Sequence, residues 1–233
     1  MELKLHDFQA TILRVLLFNP GSRFTDLNKV ATTNDHFSFH VNHLLKEGLI
    51  TKQNGKYFLS QDGKEFANRM DTDSLKLERQ AKLGVALHAV RQRNGVTEYL
   101  IHHRLKEPFF GWYGSHSGKI RWGENPQDTA KREFLEETGL TGDFNLKGIV
   151  HYLHFHKDGK FLEDKYFWTF KVENTKGKLK AKVEEGENIW MPTEKFRELE
   201  KTGRVFATLD EMVEVLDIDC LVYLDRVRFV EGY

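Results

Sequence analysis

A segment of 23 residues, from Gly118 to Leu140, limits most strongly what this chain can fold into. Asn125 is a favourable N-cap, Pro126 suits the first position of a helix, and Gly139 is placed to end it. The segment therefore predicts a short helix with sharp ends, preceded by a loop that contains glycine.

Three carboxylates lie on one face of this predicted helix. Glu133, Glu136 and Glu137 are spaced at i, i+3 and i+4, so their side chains are neighbours. Like charges this close are unfavourable unless a cation lies among them, and Mg²⁺ or Mn²⁺ prefers oxygen ligands. Arg132 lies four residues before Glu136 and can pair with it. A glutamate-rich helix alone also fits a solvent-exposed acidic face, so the carboxylates by themselves leave two interpretations.

Residues before about 70 have a different organisation from the rest of the chain. Apolar side chains recur at three- and four-residue intervals, which predicts helices, and Asn54-Gly55 favours a tight hairpin turn. The predicted elements are helices over 5–17, 25–30 and 34–46, hairpin strands over 49–52 and 56–59, and a helix over 62–70.

The segment from Phe37 to Ile50 resembles the recognition helix and first wing strand of bacterial winged helix-turn-helix domains. The resemblance covers about residues 1–70. Such domains place the third helix in the major groove of DNA and the wing along the backbone. The polar side chains that the resemblance would direct towards DNA are Ser38, His40, Asn42, His43 and Lys46 on the helix and Lys52 and Lys56 on the wing.

The distribution of charge limits the nucleic-acid interpretation. The whole chain has 35 Lys and Arg against 35 Asp and Glu, which excludes a uniformly basic coat. Residues 1–77 hold 10 basic and 9 acidic residues, so few charges are available to neutralise phosphates. Winged domains also mediate protein contacts and dimerisation. DNA binding and a purely structural or interaction role both remain open for the first region.

The spacing of the apolar residues changes from helical to strand-like after a short polar stretch. Residues 71–74 are polar and predict the hinge between two domains, 1–74 and 75–233. From Lys82 onwards apolar residues alternate as in a strand, and Asn94-Gly95 then turns into a second strand over 97–103.

The order of residues from Gly118 to Leu140 matches the Nudix box at every specified position. The box is a Gly, five residues, Glu, seven residues, Arg-Glu, an apolar residue, any residue, Glu-Glu, any residue, Gly and an apolar residue. The second domain therefore resembles a Nudix domain. The two resemblances together imply an α+β chain of two domains, a winged helix-turn-helix followed by an α/β/α Nudix sandwich. Many members of the family have Pro-Gly-Gly where this chain has His116-Ser117-Gly118. This difference changes the loop beside the expected metal site and leaves the acids unchanged, so it bears on the substrate class more than on the catalytic capacity.

The resemblance also implies a reaction and a set of site residues. The reaction is Mg²⁺- or Mn²⁺-dependent hydrolysis of a nucleoside diphosphate linked to another group. Arg132 would orient Glu136, and Gly118 would allow the loop backbone to approach the metal, with Glu124 structural or a secondary ligand. The implied metal site comprises Gly118, Glu133, Glu136 and Glu137.

Many Nudix enzymes use a further carboxylate outside the box as a ligand or a base. Glu184, Glu185 and Glu187 precede Trp190, where such an acid often lies, and Glu187 is the preferred candidate. An exposed acidic turn before a helix over 193–200 is the alternative interpretation. The predicted catalytic set is therefore Arg132, Glu133, Glu136, Glu137 and Glu187.

Two other groups of side chains invite a functional interpretation. His102, His103, His151, His154 and His156 are more consistent with polar strand positions or substrate contacts than with zinc, because ligands at suitable spacing are missing. Aromatic residues could stack on a nucleobase or belong to the core, namely Tyr166, Phe167, Trp168 and Phe170.

Three functions fit the sequence. The preferred one is a Mg²⁺-dependent Nudix hydrolase with an appended winged-helix domain, because a domain that only senses need not keep every acid. The alternatives are a transcriptional regulator that senses a metabolite such as ADP-ribose, and a hydrolase whose first domain is a dimerisation lid. Cys220 is the single cysteine, and no apolar run approaches the ~20 residues of a membrane helix. We expect a cytoplasmic homodimer without a membrane segment.

Overall fold

The chain forms two compact units. The structure, a computed structural model, describes residues 5–28, 33–71 and 80–230. One unit comprises Met1–Arg79 and the other Gln80–Tyr233. Residues 72–74 of the predicted hinge lie outside the described residues, so the boundary at residue 74 stays a prediction.

The first unit combines helices with a small antiparallel sheet. Its strands pair in the order β1-β3-β2, and the β2–β3 turn uses Asn54 and Gly55 at φ 50° and 75°. The predicted third helix and the predicted hairpin are both confirmed. The elements are α1 (Asp7–Phe18), β1 (Ser22–Arg23), α2 (Phe24–Leu27), α3 (Asn34–Lys46), β2 (Ile50–Gln53), β3 (Lys56–Leu59) and α4 (Gln61–Asn68).

The helices of the first unit bury one apolar face each. Side-chain oxygens begin two of them, since Thr33 accepts from the backbone of α3 and Ser60 from that of α4. The apolar side chains spaced at helical intervals meet in a common core, whose largest fully buried members are Ile12, Leu13, Leu16, Leu27, Phe37, Leu44 and Ile50.

The second unit is built on one large sheet. Among the described residues its strands pair in the order β10-β11-β5-β4-β9-β8-β12, with β6 on β5 and β7 on β4. The strands are β4 (Lys82–Arg93), β5 (Val96–Arg104), β6 (Tyr113–Gly114), β7 (His116–Lys119), β8 (Leu140–His156), β9 (Phe161–Gly177), β10 (Lys182–Val183), β11 (Gly186–Pro192) and β12 (Val222–Val230). The helices are α5 (Pro126–Thr138), α6 (Thr193–Glu200) and α7 (Leu209–Leu216).

Helices cover both faces of this sheet. Successive residues of a strand point to opposite faces, and on β5 Leu100 packs in the core that contains α5. Its neighbours Tyr99 and Ile101 pack in the core that contains α6 and α7. The longest described helices have 13 residues, and none of the described helices is long and apolar enough to cross a membrane.

The predicted limits of α5 are confirmed. Asn125 accepts a hydrogen bond from the backbone nitrogen of Asp128 at 2.9 Å, and Pro126 is the first helical residue. Gly139 ends the helix at φ 73°, a conformation that favours glycine. Phe134 and Ala130 are fully buried in a core that they share with residues of β4 and β9, and α5 lies against β4, β7 and β8.

Gly63→Ala is expected to destabilise the first unit, although alanine is the better helix former by about 1 kcal/mol. A Cβ at Gly63 would lie 1.8 Å from the carbonyl oxygen of Leu49, so α4 would have to move. We expect a loss of about 1–3 kcal/mol in denaturant unfolding followed by circular dichroism. The control Lys64→Ala, on the exposed side of the same helix, should change stability by less than about 0.5 kcal/mol. A Gly63→Ala variant as stable as the wild type would contradict this packing.

Candidate functional site

Gly118 allows the helix that carries the carboxylates to approach the sheet. It lies in strand β7 opposite Val85 of β4. A Cβ at this position would lie 2.0 Å from Cγ of Glu133, a distance that no side chain tolerates. Gly118 therefore lies in a strand rather than in a loop, and its missing side chain makes the space that Glu133 occupies.

Arg132 is the centre of an ion-pair network around the box. Its Nε and Nη2 donate to the two carboxylate oxygens of Glu124, both at 2.7 Å. Its Nη1 donates to Glu133 at 2.6 Å and to Glu136 at 3.2 Å. The pairing with Glu136 is present, but Glu124 and Glu133 are the closer partners. One guanidinium thus orients three of the four glutamates in the box.

Glu124 has a structural role in this geometry. It accepts from the backbone nitrogen of Arg121 at 3.2 Å as well as from both arms of Arg132. The hydrogen bond from Arg132 is the largest cause that lowers the pKa of Glu124 to about 2. Since both its oxygens face the guanidinium, the structural interpretation of this acid is favoured over that of a secondary ligand.

Glu137 is half-buried and differs from Glu124 in the direction of its pKa shift. Its pKa is raised to about 8, first by burial and then by the negative charges of Glu133, Glu185 and Glu136, against the opposing effect of Arg104. Negative charge is therefore crowded at this point of the fold. A divalent cation would relieve that crowding.

The acidic turn before β11 contributes Glu185 to this crowding. Glu185 forms ion pairs with Lys106 and, at 3.9 Å, with Arg104, and the bond from Lys106 lowers its pKa. The predicted residue Glu187 instead pairs with Lys182 at 3.1 Å. Glu185 contributes to the raised pKa of Glu137, whereas the sequence analysis preferred Glu187 as the additional acid.

The acids fit a hard divalent cation by their chemistry. In the part of the chain that the structure describes, no three His, Cys, Asp or Glu side chains form a ready coordination group. Glu133 and Glu136 are turned towards Arg132, while Glu137 has the raised pKa of a carboxyl among like charges. Carboxylate oxygens in this arrangement are the ligands that Mg²⁺ and Mn²⁺ prefer.

The five histidines noted in the sequence are held in separate interactions. None shares a described partner with another of the five, which agrees with polar and packing roles. Their partners are Asn188 for His102, Tyr113 for His103, Asp164 and Asp225 for His151, Glu163 for His154, and Asp158 for His156.

The aromatic residues of β9 divide between core and surface contacts. Phe170 is fully buried, and Trp168 packs partly buried against the same core. Tyr166 stacks on His151 with ring centroids 4.1 Å apart. The core interpretation therefore holds for part of the group, as alternation along a strand predicts.

The predicted DNA-facing residues of the first unit do not all reach the surface. His40 is only 3% exposed and stacks on His6 with ring centroids 4.6 Å apart, which corrects its assignment to the outer face of α3. Packing of α3 against α1 turns this position inward. Ser38 and His43 are half-buried. The exposed members of the predicted set are Asn42, Lys46, Lys52 and Lys56.

A family model described as the NUDIX domain matches residues 82–209. This range contains β4, the complete box and the acidic turn before β11. The chain belongs to the Nudix family.

Individual relatives agree with this assignment. The chain is 32% identical over 88 residues to a protein named as the uncharacterized Nudix hydrolase YvcI of Bacillus subtilis (strain 168). That match covers 37% of this chain and 54% of the relative, so the chain spans about half of the relative's length.

A solved structure that is 25% identical to this chain has a similar fold. The crystal structure of the MutT protein from Bacillus halodurans matches with a TM-score of 0.50 and 25% identity, over 65% of this chain and 93% of that one. The NUDIX domain of Shewanella oneidensis NrtR complexed with ADP ribose is also similar, with a TM-score of 0.46 and 14% identity. That match covers 67% of this chain and 95% of the NrtR domain.

Glu137→Gln is expected to stabilise the metal-free protein at alkaline pH. Its pKa of about 8 in the folded chain exceeds the ordinary 4.5, so the carboxyl costs stability increasingly as the pH rises from 4.5 through 8. Glutamine does not titrate. Above that pH the variant should melt several degrees higher than the wild type in EDTA, and the difference should vanish below pH 4.5.

The control for this measurement is Glu198→Gln, at an exposed position of α6, which should leave the melting temperature unchanged. Adding Mg²⁺ should raise the melting temperature of the wild type more than that of Glu137→Gln, because the cation stabilises the carboxylate. A Glu137→Gln variant that melts below the wild type in EDTA at high pH would show that this carboxyl is not under repulsion.

Proposed function

We propose that the chain is a Mg²⁺- or Mn²⁺-dependent hydrolase that cleaves the diphosphate bond of a nucleoside diphosphate linked to another group. The observation that carries this proposal is the arrangement of the acids in a chain of the Nudix family. Glu133 fits the space left by Gly118, and Glu137 is crowded by Glu133 and Glu185. A domain retained only for its shape would not need to keep this unfavourable concentration of charge.

Three acids share one task in this proposal. Glu133, Glu136 and Glu137 would hold the cation, and Arg132 keeps Glu133 and Glu136 in position through its hydrogen bonds. A cation held there would supply positive charge to neutralise the diphosphate oxygens and to assist attack of water on phosphorus.

Residues outside the box complete the site. We assign to Glu185 the role that the sequence analysis gave to Glu187, that of the additional carboxylate. Lys106 and Arg104 keep Glu185 ionised and therefore able to act as a ligand. Arg104 also reduces the repulsion around Glu137, which makes it part of the electrostatic balance of the site.

A second proposal concerns the first unit, which we assign as a winged helix-turn-helix domain that binds DNA. Support comes from α3, which is preceded by two helices and followed by the β2–β3 hairpin. Asn42 and Lys46 are exposed on α3, and Lys52 and Lys56 are exposed on the hairpin. The combination with a nucleotide hydrolase domain suits a protein that cleaves a metabolite and also regulates transcription.

Purified protein with Mg²⁺ is expected to release a nucleoside monophosphate from ADP-ribose, a dinucleotide or a nucleotide sugar. Glu137→Gln should abolish turnover because it removes a charged ligand, whereas Glu198→Gln should retain it. Product identification by chromatography and mass spectrometry gives the leaving group. If no substrate of the panel is cleaved and ADP-ribose changes DNA binding, the protein is a regulator that senses the metabolite and not a hydrolase.

Binding of the full chain to DNA from its own promoter should weaken steeply as salt rises, since lysines release counterions from phosphates. Lys46→Ala and Lys56→Ala should each weaken binding and reduce the slope against the logarithm of salt by about 1. Lys64→Ala, on α4, is the matched control. Fluorescence anisotropy that detects no binding at about 50 mM salt, or binding indifferent to salt, would reject the DNA role.

A further inference from the structure

The last turn of α5 is attached to the segment that follows β9. Helices leave their final carbonyl oxygens without partners inside the helix. Here Lys180 Nζ donates to the carbonyl of Glu136 at 3.0 Å, and its backbone nitrogen donates to that of Thr138 at 2.8 Å. The carbonyl between them, that of Glu137, accepts from Nδ2 of Asn188 at 2.8 Å. The end of the helix that carries two of the acids is thereby bonded to β11.

Asn188 is buried, with only 2% of its surface exposed, and its orientation follows from its partners. Its amide group lies 2.8 Å from two carbonyl oxygens, those of Glu137 and Lys180. Carbonyl oxygens only accept hydrogen bonds, so the nitrogen of the amide must face them. The amide oxygen therefore faces the opposite way.

That oxygen lies between two histidine rings. Nδ1 of His102 and Nε2 of His116 are each 2.9 Å from Oδ1 of Asn188. An oxygen can only accept, so both rings must donate: His102 from Nδ1 and His116 from Nε2. The tautomers of both histidines are thus determined by the carbonyl groups on the far side of Asn188.

Asn188 connects the elements that form the site. His102 is its partner across strands β5 and β11, and His116 lies two residues before Gly118 on β7. Together with the bond to Glu137 on α5, this one side chain joins four elements. A buried amide with both of its ends satisfied is a rigid connection, since any displacement would leave a polar group without a partner.

Glu185 lies in the turn immediately before β11. Gly186 lies so close to β5 that a Cβ there would be 2.1 Å from the carbonyl oxygen of His103. The backbone nitrogen of Leu105 also donates to the carbonyl of Glu185 at 2.8 Å. The turn before β11 therefore has little freedom. The position of Glu137 relative to Glu185 depends on how α5 is bonded to β11.

We propose that Asn188 is a positioning residue, which holds Glu137 and Glu185 at a fixed separation for a divalent cation, with His102 and His116 as its donors. This inference rests on the proposed function, because it assumes that these two acids share a cation. Asn188 touches neither cation nor substrate and acts through the backbone of Glu137.

Asn188→Asp tests the inference directly. Aspartate keeps the size and can still accept from both histidines, but it cannot donate to the carbonyls of Glu137 and Lys180 and repels them. We expect Mn²⁺ affinity, measured by electron paramagnetic resonance without substrate, to fall about 10–100-fold. The kcat should fall by a similar factor, while KM for a substrate at saturating Mn²⁺ should change little. Asn145→Asp, at an exposed position of β8, is the matched control and should bind Mn²⁺ as the wild type does.

A second pair of variants keeps the test informative if Asn188→Asp fails to fold. His116→Gln retains a donor near the position of Nε2 and should preserve Mn²⁺ affinity, whereas His116→Leu should lower it. In the wild type, ¹⁵N spectra of labelled histidines should show Nδ1–H for His102 and Nε2–H for His116. The opposite tautomer for either ring would overturn the inference.

The outcomes separate this inference from the proposed function. Hydrolysis by the wild type together with unchanged Mn²⁺ affinity in a folded Asn188→Asp would overturn the role of Asn188 and leave the hydrolase intact. Loss of Mn²⁺ affinity in Asn188→Asp, with no substrate cleaved by the wild type, would support the positioning role and reject the hydrolase.

Discussion

The guanidinium of Arg132 is the interaction on which the rest of the site depends. Glu124 lies in the loop before α5, and three further glutamates lie on α5 itself. Their mutual repulsion would push the loop away from the helix if the positive guanidinium did not lie between them. Arg132 binds Glu124 with two parallel hydrogen bonds and reaches Glu133 with a third. Paired charges of this kind persist because each satisfies the other's hydrogen-bonding groups. Of the four glutamates, Glu137 is the one for which no hydrogen bond to Arg132 is described.

The crowding around Glu137 connects the box with a distant part of the chain. Glu185 and Arg104 come from the turn before β11 and from the end of β5, and both act on this carboxyl. Asn188 attaches the same strand to the last turn of α5. The charges at the site and the hydrogen bonds of Asn188 therefore both involve α5, β5 and the beginning of β11. This arrangement lets the protein keep like charges close together, because the backbone that carries them is held by satisfied buried polar groups.

Local signals predicted the secondary structure around the site correctly. Asn125, Pro126 and Gly139 define the limits of α5 through bonds within a few residues, so no knowledge of the fold was required. The choice between Glu185 and Glu187 was different in kind. The two acids are two residues apart and would share a face of a regular strand. In the fold, however, Glu185 lies in the turn before β11, whereas Glu187 lies within β11 and is paired with His103 of β5, so their surroundings differ. His40 was misplaced for a similar reason, because a polar residue beside apolar ones does not reveal which helix covers it.

The sequence by itself determined the family, the helix of acids and the strand–turn–strand patterns of both units, because these depend on residue spacing and on interactions between near neighbours. Only the tertiary structure decided that Gly118 makes room for Glu133, that Arg132 binds Glu124 more closely than Glu136, and that Asn188 joins α5 to β11. These contacts join residues from separate elements. Their geometry is created when the sheet and its helices pack, so it is absent from any local pattern.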